Sequence, residues 1–277
     1  MKPGKYPNMP AAEYHALDAI GSSSLKPALI SGSKYHWYTN SHKEPTPAMI
    51  LGTQVHACVL EQDWFMEHYV LEVQKPAGLD GRTAEGKAWF KNHRACVAQL
   101  EAEGKEVISD ENFAICFNIL NNLSVDMATS KLLDSEHEVT YIWRDEYTGL
   151  LCKCRPDILH EAGIVTDLKT CQSAREEDFQ KVIVNMKYHV QAAHYLNGVA
   201  AIEGCDVDEL SFSFLAVEKQ DDFDFQIIEL GDSLRTYGFN AAQKALQTIK
   251  NCRESGVYAG YDKTPKVIEA PYWYKGE

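Results

Sequence analysis

Near the middle of the chain, Arg155-Pro156-Asp157 is followed, after nine intervening residues, by Asp167-Leu168-Lys169. Residues two apart on a strand project to one face, so Asp167 and Lys169 point the same way if this segment is extended. A preceding strand joined by a short turn brings Asp157 beside Asp167. Two carboxylates and an ammonium then meet at one spot. Paired carboxylates suit a hard divalent cation such as magnesium, and the Leu168 carbonyl is a further candidate oxygen ligand. A cation held there would polarise a phosphate and acidify water, while the lysine would stabilise developing charge. The chemistry implied is metal-assisted phosphodiester hydrolysis. The competing reading is an ordinary solvated hairpin, since Asp and Lys are common on surfaces.

Other residues bear on that choice. Glu138 begins the strand before the hairpin and offers a third carboxylate. Gln191 and Tyr195 are four apart on the helical pattern that follows, and so share a face. His56 closes Gly52-Thr-Gln-Val-His56 in a helical stretch, where a packed histidine is the bland alternative to a metal ligand. Lys153 and Arg155 alternate on the strand leading to Asp157, and all three are expected to face one way, which would set two cations for phosphate contact. Arg175, Lys181 and Lys187 follow on or before the helix with Gln191, and Arg82, Lys87, Lys91 and Arg94 decorate an earlier helix.

The elements that must position these groups divide into two textures. Up to about residue 130 the pattern is mainly helical, with segments opening at Ser22–Ser24, from Ala48 to Tyr69, Thr83 to Glu103 and Ser109 to Leu123. From about residue 136 it turns β-rich. Glu138–Arg144, Leu150–His160 and Ile164–Thr170 read as three strands of an antiparallel meander. A long helix over 176–202, strands at 209–218 and 223–230, and a helix near 233–254 follow. An aromatic tail from 255 to 277 contains Tyr258, Tyr261, Tyr272, Trp273 and Tyr274. The expected fold is one α/β domain over 1–277, a central mixed sheet flanked by helices with a helical N-terminal portion.

Taken in order, Gly-x-x-x-His, Glu, Arg-Pro-Asp, Asp-x-Lys-Thr and Gln-x-x-x-Tyr resemble the PD-(D/E)XK nucleases. The closest likeness is to the RecB-type branch and its RecE-like exonucleases (the exonuclease VIII nuclease domain). Tyr14-His15 with Ile20–Lys26, and the stretch Tyr258–Trp273, look like that family's opening and closing segments. The resemblance implies a restriction-endonuclease-like core. It implies that His56, Asp157, Asp167 and the Leu168 carbonyl hold Mg2+, with Mn2+ as a substitute, and that Lys169 is catalytic. Glu138, Gln191 and Tyr195 then belong with the catalytic set beside the scissile strand. From charge and placement alone, Lys153, Arg155, Arg175 and Lys187 are the candidate DNA-binding residues. The resemblance further implies 5′ to 3′ degradation from double-stranded DNA ends, a tetrameric ring, and a single-strand annealing protein from the same phage or prophage as recombination partner.

Bulk properties set limits on this reading. A formal net charge of −13 repels DNA at long range, so any DNA must be held in a locally basic channel. No apolar run approaches the roughly 18 residues of a membrane span, and Met-Lys-Pro-Gly-Lys-Tyr-Pro is followed by no apolar secretory core, so a cytoplasmic location is expected. The eight cysteines contain no Cys-x-x-Cys pair and read as reduced thiols. Two alternatives remain at this level: an iron–sulfur nuclease of the CRISPR-adaptation or RecB type, and a noncatalytic DNA-end-binding protein. The first needs clustered cysteines after the motifs, where only the separated Cys171, Cys205 and Cys252 stand. The second has no need of all three of Asp157, Asp167 and Lys169.

Overall fold

A run of short helices, each begun by a local hydrogen-bonding device, forms the first half of the chain. The computed structural model describes residues 1–41, 44–220, 222–272 and 274–276, so Trp273 of the aromatic tail lies outside the described residues. Strand β1 (Gly4–Tyr6) precedes helices α1 (Ala11–Ala16), α2 (Ser22–Ala28), α3 (Gly32–Asn40) and α4 (Pro47–Leu60). In α4 the Thr46 side chain accepts from the Met49 N–H and Pro47 occupies the first turn, where its missing N–H costs nothing. The expected single helix over 48–69 breaks at Glu61, whose backbone (φ −133, ψ 53) leaves the helical region, and α5 (Gln62–His68) starts anew. Strand β2 (Tyr69–Leu71) follows, then α6 (Ala84–Ala102), capped by Thr83, and β3 (Glu106–Ile108), parallel to β2. Helices α7 (Asp110–Val125) and α8 (Met127–Leu133) are capped by Ser109 and Asp126.

The second half contains β4 (Glu136–His137), β5 (Thr140–Arg144), β6 (Leu151–Cys154), β7 (Ile158–His160) and β8 (Ile164–Cys171). Helices α9 (Glu176–Asn185) and α10 (Tyr188–Glu203) come next, then β9 (Ser211–Glu218), β10 (Phe225–Glu229) and α11 (Asp232–Ser255). The expected meander is corrected here. Leu150–His160 is not one strand: it breaks at Arg155-Pro156, where proline offers no ladder donor. The two pieces enter different sheets, β6 joining β1 and β5, and β7 joining the five-stranded sheet β10-β9-β8-β7-β4. In that sheet β7 and β8 are antiparallel while β8 and β9 are parallel, which makes it mixed as expected. The long helix over 176–202 is likewise two, because Lys187 adopts a left-handed backbone (φ 55) between α9 and α10.

The central strands of the five-stranded sheet, β8 and β9, are buried on both faces. Along β9, Phe212, Phe214 and Ala216 pack with α9, α10 and α11, while Leu215 and Val217 pack with α4, α5 and α7. That two-sided burial explains why Ser211–Glu218 reads as an almost unbroken apolar run. Helix α10 lies so close to α11 that a Cβ at Gly238 would collide with the His189 carbonyl. Among the described residues, no helix is long and apolar enough to cross a membrane.

Candidate active site

Strand β8 supplies the centre of the site. Its odd-numbered residues face α10: Val165 packs into that core, and Asp167 and Lys169 follow on the same side. Asp167 is 1% exposed, pairs with the Lys169 ammonium, and accepts a 2.6 Å hydrogen bond from Gln191 Nε2 on α10. Burial alone would lower Lys169. The charges of Asp167 and Asp157 outweigh it and hold the ammonium above the usual lysine value. This half of the site is therefore electrically self-satisfied.

The other half lies toward α4. Asp157, at the start of β7, accepts the Leu168 N–H at 2.7 Å, so its carboxylate is pinned between Asp167 and Lys169 along the neighbouring strand. His56 on α4 places Nε2 2.7 Å from the Leu168 carbonyl and Nδ1 3.5 Å from Asp157 Oδ2. With the proton on Nε2, the imidazole donates to that carbonyl and leaves the Nδ1 lone pair facing Asp157, the usual way a backbone group orients a ligating histidine. Glu138 enters from the break between β4 and β5. Its left-handed backbone (φ 53) costs about 1–2 kcal/mol for a side chain of this kind. Its N–H donates to the Asp157 carbonyl at 3.1 Å, and its carboxylate pairs with Arg155 at 2.6 Å.

His56, Glu138 and Asp157 each offer a ligand atom within 4.8 Å of the others, a group able to hold a metal ion. The electrostatics fit that use. Burial, then the charge of Asp167, pushes Asp157 up to about 6 against the pull of His56 and Lys169. Burial, then Asp157, pushes Glu138 up to about 8 despite Arg155. Two carboxylates that resist ionising beside each other are what a divalent cation would relieve. Asp167 stands next to this group rather than within it, held by Gln191 and Lys169. The Leu168 carbonyl, expected as a ligand, is engaged by His56.

The expected DNA-contacting cations separate. Lys153 does not face a groove. Its ammonium turns inward to the carbonyls of Tyr14 (2.6 Å) and Leu17 (2.9 Å), and the residue is 8% exposed. That corrects its assignment: an ammonium already satisfied and buried tethers the N-terminal segment to β6. Arg155 is committed to Glu138 and to the Met9 carbonyl, so it supports the metal-competent group instead of projecting with Lys153 and Asp157. Arg175 is exposed ahead of α9 and paired with Glu177. Lys187 stands at the N-terminus of α10 in a left-handed conformation, without a side-chain capping hydrogen bond. Tyr195 is buried on α10, where burial and then the charges around it raise its hydroxyl well above the usual value. Two residues absent from the expected set stand at the site, Lys26 on α2 and Tyr188 on α10. Tyr188 had a signal in the sequence, since it precedes Gln191 by three and Tyr195 by seven on one helix face.

A cleft of about 920 Å³ lies elsewhere, at the β4–β7 edge, lined by Lys5, Glu136, His160, Glu203 and Glu209 among others. Its carboxylates disfavour phosphate. As for the iron–sulfur alternative, Cys171 lies on β8, Cys252 on α11 and Cys205 between α10 and β9, and no cysteine joins the metal-competent group.

A mixed sheet carrying Asp157, then Asp167 and Lys169 on an adjacent strand, with helices on both faces, defines the PD-(D/E)XK arrangement. Residues 21–263 match the family described as PDDEXK-like domain of unknown function (DUF3799), and the chain belongs to that family. A solved structure from Eubacterium rectale, described as a candidate exonuclease, superposes with a TM-score of 0.62 at 15% identity, covering 95% of this chain and 96% of that one. At that identity the likeness establishes the shared fold. A second structure, of SSO0001, aligns over 88% of this chain and 87% of its own at 13% identity with a TM-score of 0.30, too low to carry an argument. No curated protein matches the sequence.

Proposed function

We propose that this chain is a metal-dependent exodeoxyribonuclease that degrades one strand of double-stranded DNA from an end, 5′ to 3′, leaving single-stranded DNA for recombination. The observation that carries the reading is the pairing of two unlike half-sites around Leu168: a carboxylate–imidazole group with uncompensated charge, and an Asp167–Lys169 pair fixed by Gln191. Mg2+, with Mn2+ as substitute, is the cation we assign to the first. Bound there, it would supply Lewis-acid polarisation of the phosphate and an acidified water. Lys169, held charged by Asp167 and Asp157, would stabilise the charge that builds on the phosphate. The family membership and the Eubacterium rectale likeness support a nuclease. End specificity, polarity and recombination role rest on the RecE-like resemblance.

On that resemblance we read residues 1–277 as one nuclease domain in the cytoplasm, assembled as a ring of like subunits and working with a single-strand annealing protein. A ring answers the charge problem, because an acidic exterior can surround a locally basic channel.

The deciding experiment compares linear duplex with covalently closed circles in Mg2+, the linear DNA labelled at either 5′ or 3′ ends. Linear DNA should be consumed from its 5′ ends while circles survive. Circles nicked at the linear rate would replace the exonuclease with an endonuclease. Absence of hydrolysis in both Mg2+ and Mn2+ would remove the nuclease reading. A monomeric mass by light scattering, with linear DNA still degraded, would remove only the ring.

A further inference from the structure

One cation at the site has no assigned task. Lys26, half-buried on α2, places its ammonium 4.8 Å from the centre of the Tyr188 ring, and the Lys169 ammonium stands 5.2 Å from the same centre. Both are therefore held against one aromatic ring, a cation–π arrangement that is stronger where water is excluded. Their electrical situations differ. Lys169 has Asp167 as its counter-ion, whereas among the described residues Lys26 makes no ion pair with a carboxylate. Lys187, immediately before Tyr188 on a left-handed backbone, adds a further positive charge that Lys26 feels. Burial, then the Lys169 charge, brings Lys26 down to about 8, with Asp167 pulling the other way and Lys187 adding to the depression. Two ammoniums are thus held against one ring with one carboxylate, beside the point where the reacting phosphate is expected. A further anion would complete that balance, and a nucleic-acid strand carries one on every nucleotide.

We propose that Lys26 is a substrate-binding residue whose ammonium takes the strand phosphate adjacent to the one that reacts, with Tyr188 as the shared wall that spaces it from Lys169. The proposal rests on the nuclease reading above. Lysine suits the role as a mobile point charge on a flexible stem, able to follow a strand as it advances. The alternative is packing alone, in which the Lys26 stem merely covers Tyr188.

The test uses the full chain, a labelled linear duplex, and Ca2+ in place of Mg2+ so that binding is read without turnover. Lys26→Met should weaken binding about fivefold at moderate salt and make the slope of log K against log salt shallower by about one. Lys26→Arg should restore both. In Mg2+, Lys26→Met should raise KM with kcat within about threefold of the parent, the mark of binding energy shared by ground and transition states. Lys26→Gln serves as a second variant, and the Mn2+ midpoint of each, measured by thermal shift, checks that the metal group is intact. A parent-like slope and affinity in Lys26→Met and Lys26→Gln would overturn the proposal while parental cleavage kept the nuclease reading. A parent chain that neither binds nor cleaves duplex would overturn both.

Discussion

The two sides of strand β8 solve the problem of buried charge in opposite ways. Toward α10, Asp167 and Lys169 neutralise each other and Gln191 satisfies the remaining carboxylate oxygen. Toward α4, Asp157 and Glu138 sit beside each other with both carboxyls pushed up, although Arg155, His56 and Lys169 offset them in part. The first side is complete in the protein alone, and a preset ammonium is useful because it need not reorganise during reaction. The second is incomplete, and incompleteness is what gives a cation something to bind. On the proposed reading, the first half does electrostatic work and the second binds metal.

The largest effects should come from removing one carboxylate on each side. Asp157→Asn and Asp167→Asn should each abolish detectable cleavage, but they should move stability in opposite directions. Without metal at pH 8, Asp157→Asn should raise the unfolding temperature, since it deletes a charge that burial penalises while keeping an acceptor for the Leu168 N–H. Asp167→Asn should lower it, because Lys169 would lose its counter-ion in a dry site, a change that typically costs about 3–5 kcal/mol. Shifts of the same sign in thermal melts would erase the proposed contrast between the halves.

Next in size, Lys169→Met should cut turnover by roughly 100- to 1000-fold while the metal midpoint stays near the parent value. A displaced midpoint with normal turnover at saturating metal would instead place Lys169 in the metal group.

The smallest effect is a pH dependence of the metal-free fold. Asp157 and Glu138 bind protons more tightly when folded than the ordinary carboxyls of the unfolded chain, near pH 4. Their contribution to stability is therefore greatest in acid. It declines as pH rises, for Asp157 up to about 6 and for Glu138 up to about 8. Added Mn2+ should restore the lost stability most at the alkaline end, where both groups are free to ligate, and His56→Ala should weaken that rescue. Melting curves across pH 5 to 8 that showed metal rescue independent of pH would detach these carboxyls from the metal.

Local signals carried a good part of this. The strand period put Asp167 and Lys169 on one face, and β8 does so. The helices expected to open at Thr83 and Ser109 do so, each hydroxyl accepting a free N–H of the first turn, whereas α2, expected to open on a serine cap at Ser22–Ser24, starts after Gly21 with no side-chain cap. The alternation of β9 was hidden, since both of its faces are covered and periodicity vanishes when every position is apolar. Breaks within apparent single elements were also hidden. Glu61 and Lys187 end helices without glycine or proline, and the Pro156 break was read through because its flanks are equally strand-like.

What the sequence by itself determined is the set of candidate site residues, their order, and the strand that bears two of them, since these depend only on spacing along a few residues. What only the tertiary structure decided is where each charge is spent. Lys153, Arg155 and Lys26 are alike as letters. One is buried against the backbone carbonyls of the N-terminal segment, one braces Glu138, and one shares an aromatic ring with Lys169. Charge acts through distance and burial, and both are set by segments brought together from afar: Lys153 meets Tyr14, Arg155 meets Met9 as well as Glu138, and Lys26 meets Tyr188.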